Sequence, residues 1–271
     1  METTQKKATN KVVGIRNAGL VIFCCLIIAV LIYHFILGNP SNFVNGDPNN
    51  HPLHGNFLGT IYKGGVIVPI IQTLLLTVLA LSVERYFALR SAFGKGSLVK
   101  FVASIKEALT AGDLRKAQEI CDKQRGSVAN VVTSTLRKYE EMENDSTLSK
   151  EQKLLAIQKE LEEATALELP MMQQNLPIIA TITTLGTLMG LLGTVVGMIR
   201  SFAALAAGGA GDSLALSQGI SEALINTAFG ILTGALAVVS YNYYTNKIDK
   251  LTYSLDEVGF SIVQTFAATH K

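Results

Sequence analysis

The sequence carries little charge. Only 16% of its 271 residues are Asp, Glu, Lys or Arg, whereas 49% are hydrophobic. Soluble domains carry about 25% charged residues, so this composition excludes an ordinary soluble protein. The net charge of +2 is also too small to indicate a nucleic-acid partner. The composition therefore predicts an integral membrane protein.

Cysteine is scarce as well. Cys24 and Cys25 fall in a long apolar run, and Cys121 falls in a polar region. These positions exclude a disulfide framework. The simplest interpretation is that all three are packing residues, with lipid modification of Cys24 or Cys25 as the alternative.

The sequence also lacks the motifs of enzymes. The apolar runs contain no Ser/His pair, and the chain has neither H-E-x-x-H nor a phosphate-binding G-x-x-x-x-G-K-[ST] motif. Asp47, His51 and His54 are a weak candidate metal group, because they lie in a flexible Pro-rich stretch. We therefore expect no enzymatic activity, no cofactor and no metal.

Four apolar runs are long enough to cross a ~30 Å hydrocarbon core at ~1.5 Å per residue. No A-x-A-like site follows the first run, which favours a retained anchor over a cleaved signal peptide. The second run ends at Arg85 and Tyr86, which we expect at the membrane interface. We predict an all-α polytopic membrane protein with transmembrane helices at 18–38, 64–84, 176–206 and 214–244.

The segments between these runs differ in composition. Residues 39–63 are rich in Pro, Gly and Asn, which predicts a periplasmic loop with little regular structure. Residues 85–175 carry apolar residues at helical spacing, which predicts a helical cytoplasmic domain whose last helix runs on into the third span. We expect helix boundaries at Gly112 and Gly126, and a turn with an N-cap near 144–151. The remaining segments are a cytoplasmic N-terminus at 1–17, a periplasmic turn at 207–213 and a cytoplasmic C-terminal helix at 245–271.

The distribution of Lys and Arg sets the orientation. Four of these residues precede the first span, fourteen lie in 85–175 and three follow the fourth span, so 21 of 23 fall on one side. Only Lys63 and Arg200 lie elsewhere, and Arg200 is most simply a snorkelling side chain or a partner of Asp212. Basic residues concentrate on the cytoplasmic side of membrane proteins. Both termini are therefore predicted to be cytoplasmic.

The third and fourth runs carry glycines at helix-packing spacing. On the third, the glycines fall within about 60° of one another on a helical wheel. Such faces allow close approach of another helix in a membrane. The contact is either within the chain or with other subunits, and one surface can serve both. The glycines are Gly186, Gly190, Gly193 and Gly197 on the third run and Gly230 and Gly234 on the fourth.

Glu222 is the most informative residue of the chain. It lies about ten residues into the fourth span, where an isolated carboxylate costs several kcal/mol unless it meets a polar cavity, a partner or a proton. Asn226, Thr233 and Ser240 lie within about 40° of it on the helical wheel. This polar line is what a proton path requires, and solvation at the interface is the alternative. Because one carboxylate cannot complete a path, we expect several copies around an axis.

The sequence resembles the MotA/TolQ/ExbB proton-channel family. The resemblance rests on the stretches Thr183–Gly186, Gly190–Ile199, Ser201–Phe202 and Gly219–Gly230, and is closest to the ExbB and TolQ branches. It implies a homopentamer in the bacterial inner membrane that encloses an ExbD-like single-span partner with a membrane aspartate. The family's pore-lining polar positions match Thr194, Glu222 and Thr227. Thr227 lies about 140° from Glu222 on the wheel, so the polar stripe and the family pattern disagree there.

The resemblance implies a motor subunit that uses the proton motive force to energise outer-membrane transport through a TonB-like protein. A TolQ-like envelope motor and a MotA-like swimming or gliding stator are the alternatives. A secondary transporter would need inverted repeats or broken helices, and the sequence has neither. Two features depart from the ExbB pattern. The N-terminal span raises the count from three to four, and Leu236 replaces a common proline.

Overall fold

The computed structural model describes residues 17–208 and 213–269, which are almost entirely helical. Stretches within Ala18–Leu37, Ile67–Thr110, Lys150–Ala203 and Gly219–Thr269 are long and apolar enough to cross a membrane. The predicted all-α class with four apolar spans is confirmed. The helices are α1 (Ala18–Leu31, extended by a π-helical turn Ile32–Leu37), α2 (Phe57–Tyr62), α3 (Ile67–Phe93), α4 (Leu98–Thr110), α5 (Leu114–Gln124), α6 (Gly126–Asn144), α7 (Lys150–Gln173), α8 (Leu176–Gly208) and α9 (Ser213–Thr269).

Several helix ends differ from the sequence predictions. Helix α9 runs unbroken to Thr269, so the C-terminal segment is not a separate helix. No proline interrupts α9, which explains its length. The expected continuity into the third span is wrong, because α7 and α8 are separated by Gln174 and Asn175, the latter with φ 66°. Pro177 in the first turn of α8 favours a new helix start here.

The described residues form two compact units. The first contains residues 17–83 and 175–242 and is called here the apolar unit. The second contains residues 84–174 and 243–269 and is called the polar unit. Helices α3 and α9 each contribute to both.

The core of the polar unit follows the helical periodicity of its sequence. Helices α4, α5 and α6 pack in chain order, and α6 packs along α7. The α4 residues Phe101, Ile105 and Leu109 are buried, as their spacing predicts. The end of α9 completes this core, where Phe266 packs edge-on against Tyr139 with 4.9 Å between ring centroids.

The helix boundaries of the polar unit have identifiable caps. The Asp113 carboxylate accepts a 2.8 Å hydrogen bond from the Lys116 backbone and starts α5. Ser149 and Gln152 form a reciprocal capping box at the start of α7. These caps and the start of α6 at Gly126 confirm the predicted boundaries.

Arg85, which the sequence predicts at the membrane interface, is fully buried in the polar unit. Its guanidinium donates to the carbonyl oxygens of Met171 at 3.1 Å and Met172 at 3.2 Å, and to the Glu84 carboxylate at 2.6 Å. The last carbonyls of a helix have no partner within the helix. Arg85 supplies hydrogen-bond donors for the last carbonyls of α7, and its side chain is buried because it reaches them.

The loop 39–63 of the apolar unit is more ordered than predicted. Asn42 donates to the carbonyl oxygens of Ile36 at 2.8 Å and Leu37 at 3.0 Å, and it accepts from Asn56 at 3.1 Å. These carbonyls end the first apolar run and need donors. The Asn-rich composition therefore terminates the helix and orders the loop.

Candidate functional site

Helices α8 and α9 form a closely packed hairpin in the apolar unit. A Cβ atom on Gly230 would lie 2.6 Å from the Gly186 carbonyl oxygen and 2.6 Å from the Gly190 Cα. A Cβ on Gly234 would lie 2.8 Å from the Thr183 carbonyl oxygen. Side-chain carbons do not occur at such distances, so the two backbones touch only because these residues are glycines.

The same close approach continues along α8. A Cβ on Gly193 would lie 2.4 Å from the Asn226 Cβ, and one on Gly197 would lie 2.9 Å from the Ala223 Cβ. All six glycines selected from the sequence thus contact the other helix within one chain. The two pairings also fix the register of the hairpin.

Glu222 is half-buried on α9, beside Ala223 of this register. Because Gly193 meets Asn226 and Gly197 meets Ala223, Glu222 lies level with Gly197 of α8, and Thr194 lies level with Ile225, about one helical turn away. Thr194 is partly exposed, and its hydroxyl donates to the Leu191 carbonyl oxygen at 2.6 Å. Glu222 and Thr194 are therefore separated by about one helical turn along the hairpin of the apolar unit.

Thr227 lies between the two helices of the hairpin. Its hydroxyl donates to the Gly190 carbonyl oxygen at 3.2 Å, and the residue is half-buried. This contact explains why Thr227 departs from the polar stripe on the helical wheel. The side chain points toward α8, whereas the stripe was drawn from α9 alone.

The other members of the polar stripe are buried within the chain. Asn226 is 3% exposed and donates to the Gly64 carbonyl oxygen at 2.9 Å, while Thr233 is fully buried and donates to the Phe229 carbonyl oxygen at 2.8 Å. Ser240 is half-buried. The polar stripe therefore includes intrachain packing positions.

Lys63 and Arg200 both lie close enough to Glu222 to act on its charge. Lys63 donates to the Asn49 carbonyl oxygen at 3.0 Å. The Arg200 guanidinium lies close to Gly65, 3.1 Å from the position that a Cβ would take on that residue. Arg200 therefore lies beside the short segment that contains Lys63 and Gly65. The alternative partner of Arg200, Asp212, lies outside the described residues.

The structure contains a contact between the first span and α9 that the sequence does not predict. Leu37, Ile61 and Val68 form a buried cluster that also includes Ile225 and Phe229 of α9. Tyr33 stacks on Tyr62 with 4.6 Å between ring centroids and donates to its carbonyl oxygen at 3.1 Å. No periodic signal reports contacts between helices so distant in sequence, although the Gly64–Gly65 pair marks a close backbone approach. The first span therefore packs beside the helix that carries Glu222.

The candidate metal group does not assemble in the part of the chain that the structure describes. No three His, Cys, Asp or Glu side chains there are placed to hold a metal ion. The Asp47 carboxylate instead accepts a 2.9 Å hydrogen bond from the Asn49 backbone, as in a turn.

Comparisons with known proteins agree with the geometry of the hairpin. The model of the MotA/TolQ/ExbB proton channel family matches residues 125–257, which include α8 and Glu222. The ExbB-like 1 biopolymer transport protein of Synechocystis is 34% identical over 68% of this chain and 68% of its own length. The TolQ protein of the Tol-Pal system of Pseudomonas aeruginosa is 25% identical over 67% of this chain and 81% of its own length.

An ExbB homolog of Methanothermobacter thermautotrophicus is 24% identical over 72% of this chain. The chain spans 66% of that relative's length, slightly less than two thirds. The four apolar spans make the protein a multi-pass membrane protein, and the family consists of channels rather than enzymes. The chain belongs to the MotA/TolQ/ExbB proton channel family.

Proposed function

We propose that this chain is the proton-conducting subunit of an ExbB-like motor in the bacterial inner membrane. The motor uses the proton motive force to energise TonB-dependent transport across the outer membrane. Glu222 carries the proposal, because it is the one fully charged residue between Ser213 and Asn246 in the sequence. A carboxylate in such a helix costs several kcal/mol unless it exchanges protons or meets a polar path.

The proposed path uses Glu222 as the proton acceptor and the hydroxyls of Thr194 and Thr227 as neighbouring polar groups. Their positions on the hairpin support this assignment, since Thr194 lies at a level between those of Glu222 and Thr227, and Thr227 contacts Gly190 of the same helix α8. Asn226 and Thr233 take a supporting role, because both are buried within one chain.

One chain offers too few polar groups to conduct protons alone. We propose a homopentamer around an ExbD-like single-span protein, whose membrane aspartate exchanges protons with Glu222 and which acts on a TonB-like protein. Leu188, Val195 and Ile199 of α8 are more than half exposed. This apolar face is available to lipid or to the helices of other subunits. Native mass spectrometry of the complex is expected to give five copies of this chain.

The experiment that tests the channel replaces Glu222→Gln and measures proton flux into vesicles containing this chain and its partner. Glutamine keeps the side-chain shape but cannot take up a proton, so flux is expected to fall to the level of protein-free vesicles. Glu222→Asp is expected to retain part of it. Glu119→Gln is the matched control, because Glu119 is exposed on α5 of the polar unit. Normal flux through a correctly assembled Glu222→Gln complex would contradict the proposal.

A TolQ-like role in envelope maintenance is the second candidate. It is favoured by the alignment with TolQ over 81% of that protein's length. Expression in a strain that lacks its own ExbB and TolQ separates the two roles. Restored uptake of an iron chelate supports the ExbB-like role, whereas restored resistance to detergent without uptake supports the TolQ-like role.

A further inference from the structure

A cavity of about 880 Å³ opens in the polar unit, and Glu222 is not among the residues that line it. The end of α3 and the loop after it line one side, and the start of α6 and the Tyr243–Lys247 turn of α9 line the other. All of the lining residues belong to this one unit. The cavity is therefore a property of a single polar unit.

The charge of the cavity is of one sign. Arg90, Lys95, Arg125 and Lys247 line it, and none of the described lining residues is acidic. The carboxylate of Glu84 lies nearby in sequence but accepts hydrogen bonds from the buried Arg85. Four cations in one cavity attract an anion, and guanidinium groups match the oxygens of a phosphate in particular.

The backbone beneath these cations is fixed by two glycines. A Cβ on Gly94 would lie 2.0 Å from the Arg125 carbonyl oxygen, and one on Gly126 would lie 2.5 Å from the Ala92 carbonyl oxygen. Both glycines have positive φ, of 76° and 82°. The loop after α3 and the start of α6 therefore touch backbone to backbone.

This junction holds Arg125 in an uncommon conformation. Its φ of 58° is in the left-handed region, which residues with a Cβ rarely adopt. The side-chain amide of the buried Gln124 donates to the Phe93 carbonyl oxygen at 2.8 Å. The backbone carbonyl of Gln124 accepts from the Lys95 backbone N–H at 2.6 Å. Such strain persists where the surrounding structure over-determines it and is frequent at binding sites. Arg125 is thus held at the cavity by tertiary contacts.

Aromatic side chains line the rest of the cavity. Tyr86, Phe87 and Tyr243 are 47%, 62% and 50% exposed, and the Lys247 ammonium lies 5.6 Å from the centroid of the Tyr243 ring. They lie where the uncharged stretches of α3 and α9 end, and Lys247 is the first charge of α9 after Glu222. Aromatic residues followed by basic residues mark the depth of lipid headgroups.

We propose that this cavity binds the headgroup of an anionic phospholipid from the cytoplasmic leaflet. Arg90 and Arg125 would hold the phosphate, Lys95 and Lys247 would add charge, and the exposed aromatic rings would contact the glycerol and upper acyl chains. Basic pockets beside membrane helices suit such headgroups. A free phosphate compound would use the cations but would leave the aromatic side unused. The site does not depend on proton conduction through Glu222.

The test titrates the purified full-length protein with phosphatidylglycerol or phosphatidylethanolamine of the same acyl chains and counts bound lipids by native mass spectrometry. The wild-type protein is expected to retain phosphatidylglycerol in preference to phosphatidylethanolamine. The variant Arg90→Gln, Arg125→Gly, Lys247→Gln should weaken that binding at least about tenfold, given the contribution of each cation near a lipid surface. Glycine is chosen at 125 because φ 58° with ψ 180° is a region that glycine adopts far more readily than other residues.

The matched control removes three exposed cations from α5, by Arg115→Gln, Lys116→Gln and Lys123→Gln, and is expected to bind lipid as the wild type does. Equal loss in this control, or no preference between the two lipids, would overturn the proposal. Displacement of the lipid by millimolar inorganic phosphate would assign the cavity to a soluble anion. Displacement by an acidic peptide of the partner would assign it to a protein. If the triple variant fails to fold, Arg90→Gln alone, on the exposed face of α3, gives the same comparison.

Discussion

At the residue scale, the glycines of the hairpin have a testable energetic role. Gly230→Ala places a Cβ 2.6 Å from the Gly186 carbonyl oxygen, and overpacking of this kind costs about 2 kcal/mol. Alanine favours a helix over glycine by about 1 kcal/mol, which offsets part of this cost. The free energy of unfolding in detergent should therefore fall by about 1 kcal/mol.

The control for this substitution is Gly19→Ala in α1. A Cβ there would meet its nearest atom at 3.4 Å, an ordinary contact. We expect this variant to unfold at the wild-type temperature or slightly above it. Equal stability of the two variants would show that α8 and α9 do not depend on the close approach.

Cys121 gives a second prediction at this scale. Burial raises the pKa of its thiol to about 12, so the thiolate fraction at pH 8 is far below that of an exposed cysteine. Alkylation requires the thiolate, and we expect Cys121 to react at least about a hundredfold more slowly in the folded protein than in denaturant. Peptide mapping after treatment with iodoacetamide measures both rates. Similar rates would mean that α5 does not bury the thiol.

Some of the notable residues can be recognised in the sequence and others cannot, for a physical reason. Glu222 is conspicuous because a charge in an apolar run is costly wherever the helix lies. Arg85 and Arg125 are ordinary basic residues in a polar segment. Only their tertiary partners, the carbonyls of α7 and the Gly94–Gly126 junction, distinguish them.

At the element scale, the contact between α9 and the loop before α3 is open to test. Asn226→Ala removes the donor to the Gly64 carbonyl oxygen, and a buried carbonyl without a partner costs about 1–3 kcal/mol. The free energy of unfolding should fall by that amount, and limited proteolysis should cut the loop 39–63 more readily.

Asn246→Ala is the matched control, because Asn246 is exposed on the same helix. Exposed substitutions usually change stability by less than about 0.5 kcal/mol. If both variants behave alike, the hydrogen bond to Gly64 does not hold the loop on α9.

The helices and loops show which structural features the sequence pattern predicts and which it does not. The apolar runs gave the positions of the spans, since hydropathy alone selects segments that can cross a membrane. Helices α3 and α9 run on beyond the predicted spans, to Phe93 and Thr269, because a helix continues where its next residues find packing. The order of the loop 39–63 depends on hydrogen bonds from Asn42 and Asn56, which composition does not report.

At the scale of the whole molecule, the orientation in the membrane is the prediction to check. In a background without native cysteines, a cysteine at Asn49 should react with a membrane-impermeant maleimide in intact spheroplasts. A cysteine at Lys116 should react only after lysis. Both positions are exposed, so reactivity reports the side of the membrane. The reverse pattern would contradict the positive-inside orientation.

The sequence by itself determined the class of this protein and singled out Glu222 as the candidate proton-path residue. The composition, the four apolar runs and the one carboxylate within the last run are informative because the energetics of a membrane act on each segment separately. The tertiary structure decided what each polar group does. Asn226 and Thr233 are buried within the chain, and Thr227 contacts α8. Four basic residues line one cavity. These outcomes depend on distances between residues far apart in sequence, and no local pattern encodes such distances.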